Sequence, residues 1–199
     1  MRVITGTARG VSLKAPPGLA TRPTGDKVKQ ALFNIIQYEI SGDVLDLFAG
    51  SGQLGIEALS RGARSCVFVD QSPDAIRVIR ENLEKTRLSD RAQIIRADSL
   101  SYLSRCKKTF RLIFLDPPYA EKSLENAIKC ISEIDILGES GIIITERPVG
   151  KELQGDFGDL VPSKDYRYGS TVITIFRRRE DLLAAEHHGY QADYPDNRE

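Results

Sequence analysis

From Asp43 onward the sequence alternates short apolar runs with longer segments at helical spacing, and few folds accommodate that rhythm. The runs "VLDLF" (44–48), "SCVFVD" (65–70), "AQIIRAD" (92–98), "RLIFLD" (111–116), "GIIITER" (141–147) and "STVITIF" (170–176) predict strands. Between them "GQLGIEALSRG", "SPDAIRVIRENLEKTRL", "SLSYLSRC" and "EKSLENAIKCISEI" predict helices, the second started by a Ser72 cap and Pro73 in the first helical position. Such alternation needs crossover connections, so the chain is expected to be α/β, with a mainly parallel sheet covered by helices on both faces. Ligands of these sheets gather at the carboxyl ends of the strands. Chemistry is therefore sought in the residues just past each run.

The first run leads into "DLFAGSGQLG", in which Gly50, Gly52 and Gly55 form G-x-G-x-x-G between a strand and a helix. Glycines there let the backbone approach a ligand closely. Nicotinamide, flavin and S-adenosylmethionine sites all use such turns, and a tight turn binding nothing is the bland alternative. Asp46 favours S-adenosylmethionine: a carboxylate at the head of the turn repels a pyrophosphate but accepts from a cationic amino-acid moiety, directly or through water. The second run ends at Asp70, about 20 residues past the turn, the spacing of a carboxylate that takes both ribose hydroxyls. The third leads to Asp98, placed to accept from an adenine amine or simply to cap the next helix.

The fourth run ends in "FLDPPYA", 114–120. Pro117 and Pro118 fix the backbone and remove its donors. Acceptors remain: the Asp116 side chain and the Pro117 carbonyl can converge on one NH2, with the Tyr119 ring as a wall. That suits the exocyclic amine of a nucleobase, whose lone pair is delocalised until its protons are held.

The N-terminal part differs in character. "MRVITGTARGVSLKAP" predicts a small hairpin, "PPGLATRPTG" a loop, and Val28, Ala31, Leu32, Ile35 and Ile36 an amphipathic helix over 25–40 after a Thr24 cap. Six basic residues stand against two acidic ones from Met1 to Ile40, whereas from Glu180 to Glu199 six acidic residues face one basic. Net neutrality therefore does not exclude a basic end facing nucleic acid. Residues 1–24 are expected as a hairpin and loop appendage, 25–179 as the main domain, and 180–199 as an acidic solvated tail. His187 and His188 in that tail lack further ligands for a metal. Cys66, Cys106 and Cys130 are odd in number and widely spaced, as free thiols in a reducing cytosol would be. No apolar run is long enough for a membrane span or signal peptide, so a cytoplasmic protein is expected.

With these residues in view the chain resembles a class I S-adenosylmethionine-dependent methyltransferase acting on exocyclic amines. More narrowly, it resembles the bacterial RsmD family of 16S rRNA guanine-N2 methyltransferases, the guanine-966 type. The likeness spans roughly residues 1–178 and rests on "RVITGTARG", "TRPTGDKVKQALFNI", "DLFAGSGQLGIEALSRGA", "FVDQS", "IFLDPPY" and "YRYGSTVITIF". It implies a Rossmann-like seven-strand sheet with an antiparallel last strand, S-adenosylmethionine as methyl donor without a metal, and the small ribosomal subunit or its assembly intermediate as substrate. A monomer is the expected state. By position, Asp46, Gly50, Gly52, Asp70 and Asp98 would bind cofactor. Asp116, Pro117 and Tyr119 would hold the reacting guanine, with Arg22 and Pro118 also meeting substrate. Arg22, Pro23, Thr24 and Asp26 match the family's N-terminal block, and Gln53 departs from it where a small residue is usual. "DPPY" alone also fits an adenine-N6 methyltransferase on DNA or RNA; the N-terminal block favours guanine, by resemblance. A non-catalytic RNA-binding protein that keeps the fold, or a nicotinamide oxidoreductase, fits the acids and prolines less well.

Overall fold

The computed structural model describes residues 1–17, 24–117 and 122–187. Seven strands form one sheet: β1 (Asp43–Asp46), β2 (Ser65–Asp70), β3 (Ala92–Arg96), β4 (Phe110–Leu115), β5 (Leu137–Pro148), β6 (Leu160–Tyr168) and β7 (Thr171–Arg178). Their spatial order is β3-β2-β1-β4-β5-β7-β6, and β7 is antiparallel to both of its neighbours. The other strands run parallel, as the alternating pattern requires. The helices are α1 (Thr24–Ile35), α2 (Gln53–Ser60), α3 (Pro73–Thr86), α4 (Ser99–Leu103), α5 (Ser123–Ile134) and α6 (Arg179–His187).

Successive strand residues point to opposite faces, and the core divides accordingly. On one face Val44, Phe68, Leu112, Phe114, Ile142 and Ile144 pack with Phe33 of α1, Ile56 and Leu59 of α2, and Ile79 and Leu83 of α3. On the other, Leu45, Val67, Val69, Ile113, Leu115 and Ile143 meet Leu103 of α4 and Leu124, Ile128 and Ile131 of α5. Both faces of the central strands are covered, which is why they read as unbroken apolar runs.

Three boundaries differ from expectation. Strand β6 is not among the six apolar runs. Its "LVPSKDYRY" lies at the sheet edge, carries Pro162 at a register irregularity, and buries few of its side chains. An edge strand tolerates proline and needs apolar residues on one side only. Helix α1 begins at Thr24, rather than after it, and ends at Ile35; turns come next, with Glu39 accepting from both Arg111 and Arg177. The acidic segment past Arg179 is helical as far as His187.

The N-terminal hairpin forms as expected, with Val3 donating to Val11 and Gly10 to Val3. It packs into the core through Val3, Ala8 and Leu13. Cys66 is buried and Cys106 and Cys130 half-buried, all three as free thiols. No helix among the described residues is long and apolar enough to cross a membrane.

Candidate active site

The chain reverses its direction of travel across the sheet between β1 and β4, the place where ligands bind in open α/β sheets. The glycine turn stands there. Gly50 and Gly52 have φ of 53° and 76°, a left-handed conformation that L side chains adopt at a cost. A Cβ on Gly50 would meet nothing within 4 Å, so this glycine faces open space above the sheet. Gly55 has the opposite surroundings: a Cβ there would lie 2.3 Å from Phe68 and 2.7 Å from Cys66 Sγ, so its role is close packing of α2 on β2. Gln53, the residue that departs from the family pattern, opens α2 and is half-buried.

Asp46 is buried, and its Oδ2 accepts from the Gly55 amide at 3.0 Å. This carboxylate braces the turn from beneath. Burial raises its pKa to about 7; the Gly55 hydrogen bond opposes that rise, and the charge of Asp70 adds to it. Asp70 braces the turn from the side. Its Oδ2 accepts from Gly50 N–H and its Oδ1 from Ser72 N–H, both at 2.8 Å. Asp98 accepts from Ser101 N–H at 2.9 Å and caps α4. Both readings of Asp98 thus remain compatible with its place at the end of the third strand.

Asp116 follows β4 directly and Pro117 comes next, the first exposed and the second half-buried. Protein packed around the Asp116 carboxyl, then the charges of Glu146 and Asp46, push its pKa above the ordinary carboxylate range. Its outer side still reaches solvent. A small cavity of about 10 Å³ lies beneath it, lined by Leu32, Leu54, Phe114, Ile144, Glu146 and Ile173 among others. Arg22, Pro23, Pro118, Tyr119 and His188 lie outside the described residues, as do the side chains of Thr24, Asp26 and His187.

Two buried polar side chains fasten the hairpin to this site. Glu57 on α2, fully buried, accepts from Ile4 N–H at 2.8 Å, Thr5 N–H at 3.0 Å and Arg61 Nε at 2.8 Å, with Lys29 Nζ 3.9 Å away. Asn82 on α3, also fully buried, accepts from Lys14 N–H at 2.8 Å. It donates to the Lys14 carbonyl at 3.0 Å and to the Ser51 carbonyl, inside the glycine turn, at 2.9 Å.

A family model described as Conserved hypothetical protein 95 matches residues 1–177, taking in the hairpin, the glycine turn and every strand but the last residue of β7. The chain belongs to that family, the RsmD-type rRNA methyltransferases. This RsmD-family chain is 46% identical to the "Putative rRNA methyltransferase YlbH" of Bacillus subtilis, over 90% of its own length and all of the relative's. It is 36% identical to the "Ribosomal RNA small subunit methyltransferase D" of Haemophilus influenzae, over 77% of this chain and 81% of that one. Among solved structures, the "Putative methyltransferase yhhF" of Escherichia coli superposes with a TM-score of 0.80. That match covers 89% of this chain and 97% of the other at 29% identity. The Rossmann-like methyltransferase sheet and the family expected from the sequence are both present.

Inspection of the sequence overlooked Glu57, Asn82 and Glu146. The first two sit within amphipathic helices and look like surface polar residues until the hairpin covers them. Glu146 had a readable signal: "IIITER" places an acid after the fifth apolar run, in the pattern already noted for the first four.

Proposed function

We propose that this chain transfers a methyl group from S-adenosylmethionine to the exocyclic N2 amine of a guanine in 16S rRNA, within the small ribosomal subunit or its assembly intermediate, in the cytoplasm. One observation carries the proposal: Asp116 follows β4 on the same sheet face as the turn-bracing Asp46, beside the strand-order reversal. The relatives named for the small subunit support the substrate class.

The residues present fit the methyl donor. Open space above Gly50 leaves room for a ligand against bare backbone, with the Asp70 carboxylate at its edge, and Asp98 follows the next strand along the sheet. Gly50, Gly52, Asp70 and Asp98 would hold S-adenosylmethionine, with Asp46 keeping the turn in shape. When bound, the sulfonium supplies an electrophilic methyl group.

Asp116 and the Pro117 carbonyl act on the amine. Accepting its two protons favours a pyramidal nitrogen with a localised lone pair, and positions that lone pair for attack. Arg22, Pro118 and Tyr119 would complete the hold on the base, the aromatic ring lying against its plane. The base leaves its stack to reach this depth. Once the nitrogen is alkylated its proton is acidic, and the raised pKa of Asp116 suits it to receive that proton. The reading calls for no metal.

The test uses small subunits from cells lacking this chain, incubated with it and labelled S-adenosylmethionine, then digested to nucleosides. N2-methylguanosine is expected. Label appearing in N6-methyladenosine instead would overturn the assignment.

A further inference from the structure

Asp116 and Glu146 are neighbours by register. Strands β4 and β5 run parallel, with Leu115 paired to Thr145 as the last matched residues. The next residue on each strand is a carboxylic acid, and adjacent strands lie about 4.8 Å apart. Alternation puts both side chains on the face shared by Phe114 and Ile144, and both line the small apolar cavity under α1. That cavity holds about 10 Å³, enough for roughly one water, so a base would sit across its mouth rather than inside it.

Two carboxylates side by side favour a ligand that brings a donor to each. The proximity of Glu146 is one cause of the raised Asp116 pKa. The ligand edge that answers such a pair carries two adjacent donors. Guanine has one: N1–H beside the N2 amine. Adenine does not, because the N1 beside its N6 amine carries a lone pair.

We propose that Glu146 accepts the N1–H of the target guanine while Asp116 accepts from its N2 amine, so that this pair of acids selects guanine over adenine. The inference rests on the guanine-N2 reading above and assigns the residue that enforces it. A carboxylate has about four lone-pair sites, so Glu146 can receive this hydrogen bond alongside other partners. Adenine in the same pose would point its N1 lone pair at the Glu146 carboxylate, and two acceptors facing each other repel where guanine makes a hydrogen bond to a charged group.

The test uses 2-aminopurine, which keeps the reactive 2-amine but has a lone pair at N1. Small subunits are assembled from RNA ligated to carry either guanine or 2-aminopurine at the methylated position. The wild-type chain should methylate the 2-aminopurine subunits at least about tenfold more slowly than the guanine subunits, the scale of one hydrogen bond to a charged group. Glu146→Gln, whose amide can donate to that N1, should narrow the ratio several-fold even as its rate on guanine falls. Taking the ratio in both proteins cancels the loss of O6 from the analogue. Equal wild-type rates on both subunits would overturn the role of Glu146, as would a Glu146→Gln variant that melts like the wild type and slows on both alike. Equal rates in the wild-type arm overturn the role even if the variant folds poorly. Absence of N2-methylguanosine from the unsubstituted subunits would instead bring down the guanine reading itself.

Discussion

Asp70 Oδ2 accepts the Gly50 amide at 2.8 Å, so the end of the second strand holds the glycine turn that the first strand leads into. With Oδ1 on the Ser72 amide, the same side chain also starts α3. Its position beside the open space above Gly50 leaves it able to receive further donors from a ligand.

Replacing Asp70 with Ala should therefore weaken S-adenosylmethionine binding by about tenfold or more, through lost ligand contact and a loosened turn. Titration calorimetry measures this directly. Affinity within twofold of wild type would count against the ribose role.

Asp116→Ala should remove turnover by about a hundredfold or more while leaving cofactor affinity nearly unchanged, because it acts on the amine and not on the donor. The proposed acceptor role requires the charged form of Asp116 in the wild type. The rate should fall as pH is lowered, with a midpoint well above about 4, the ordinary Asp value. A pH–rate profile that stays flat down to that value would contradict the acceptor role.

Asp46 makes a separate, structural prediction. Its folded pKa of about 7 exceeds the unfolded value of 3.8, so the folded state binds more protons between them. Stability from this group is then present at low pH and lost as pH rises towards about 7. The loss is at most roughly 1.4 kcal/mol for each pH step between the two values. Asp46→Asn keeps an acceptor for Gly55 and removes the titration. Thermal melts should show a shallower loss of stability from about pH 4 to about pH 7 in the variant; parallel curves would disprove the assignment.

Glu57→Ala should destabilise the fold by about 3–5 kcal/mol, since it strands the Ile4 and Thr5 amides and leaves Arg61 and Lys29 without their shared carboxylate. Denaturant melts report the size of the loss. A change below about 1 kcal/mol would mean that the hairpin is held by its apolar contacts alone.

Gly55→Ala tests the packing of α2. The added methyl would overlap Phe68 at 2.3 Å and Cys66 at 2.7 Å, both in the core. A loss of about 1–3 kcal/mol is expected, visible in the same melts.

Much of the architecture was legible because burial on both faces writes central strands as plain apolar runs. Asp46, Asp70, Asp98 and Asp116 could be found by reading the acids within or just after each run. The edge strand β6 could not, since half of its surface faces water and its proline and charges resemble a loop. The bracing role of Asp46 was hidden as well. A sequence shows that an acid precedes the turn but not that the turn folds back far enough for Gly55 to reach it. Asn82 and Glu57 were invisible for a deeper reason: their partners are backbone groups 68 and more than 50 residues away, and backbone leaves no signature in residue type.

Asn82 sets a limit on how this enzyme can be rebuilt. Its amide commits two hydrogen bonds to Lys14 and the other to Ser51, and no solvent reaches it. A chimera that grafted another N-terminus onto the sheet would inherit one half of a buried seam without the other. N-terminal segments exchanged between relatives would have to carry the matching stretch of α3 with them, and the unit of transplantation is therefore larger than the hairpin itself.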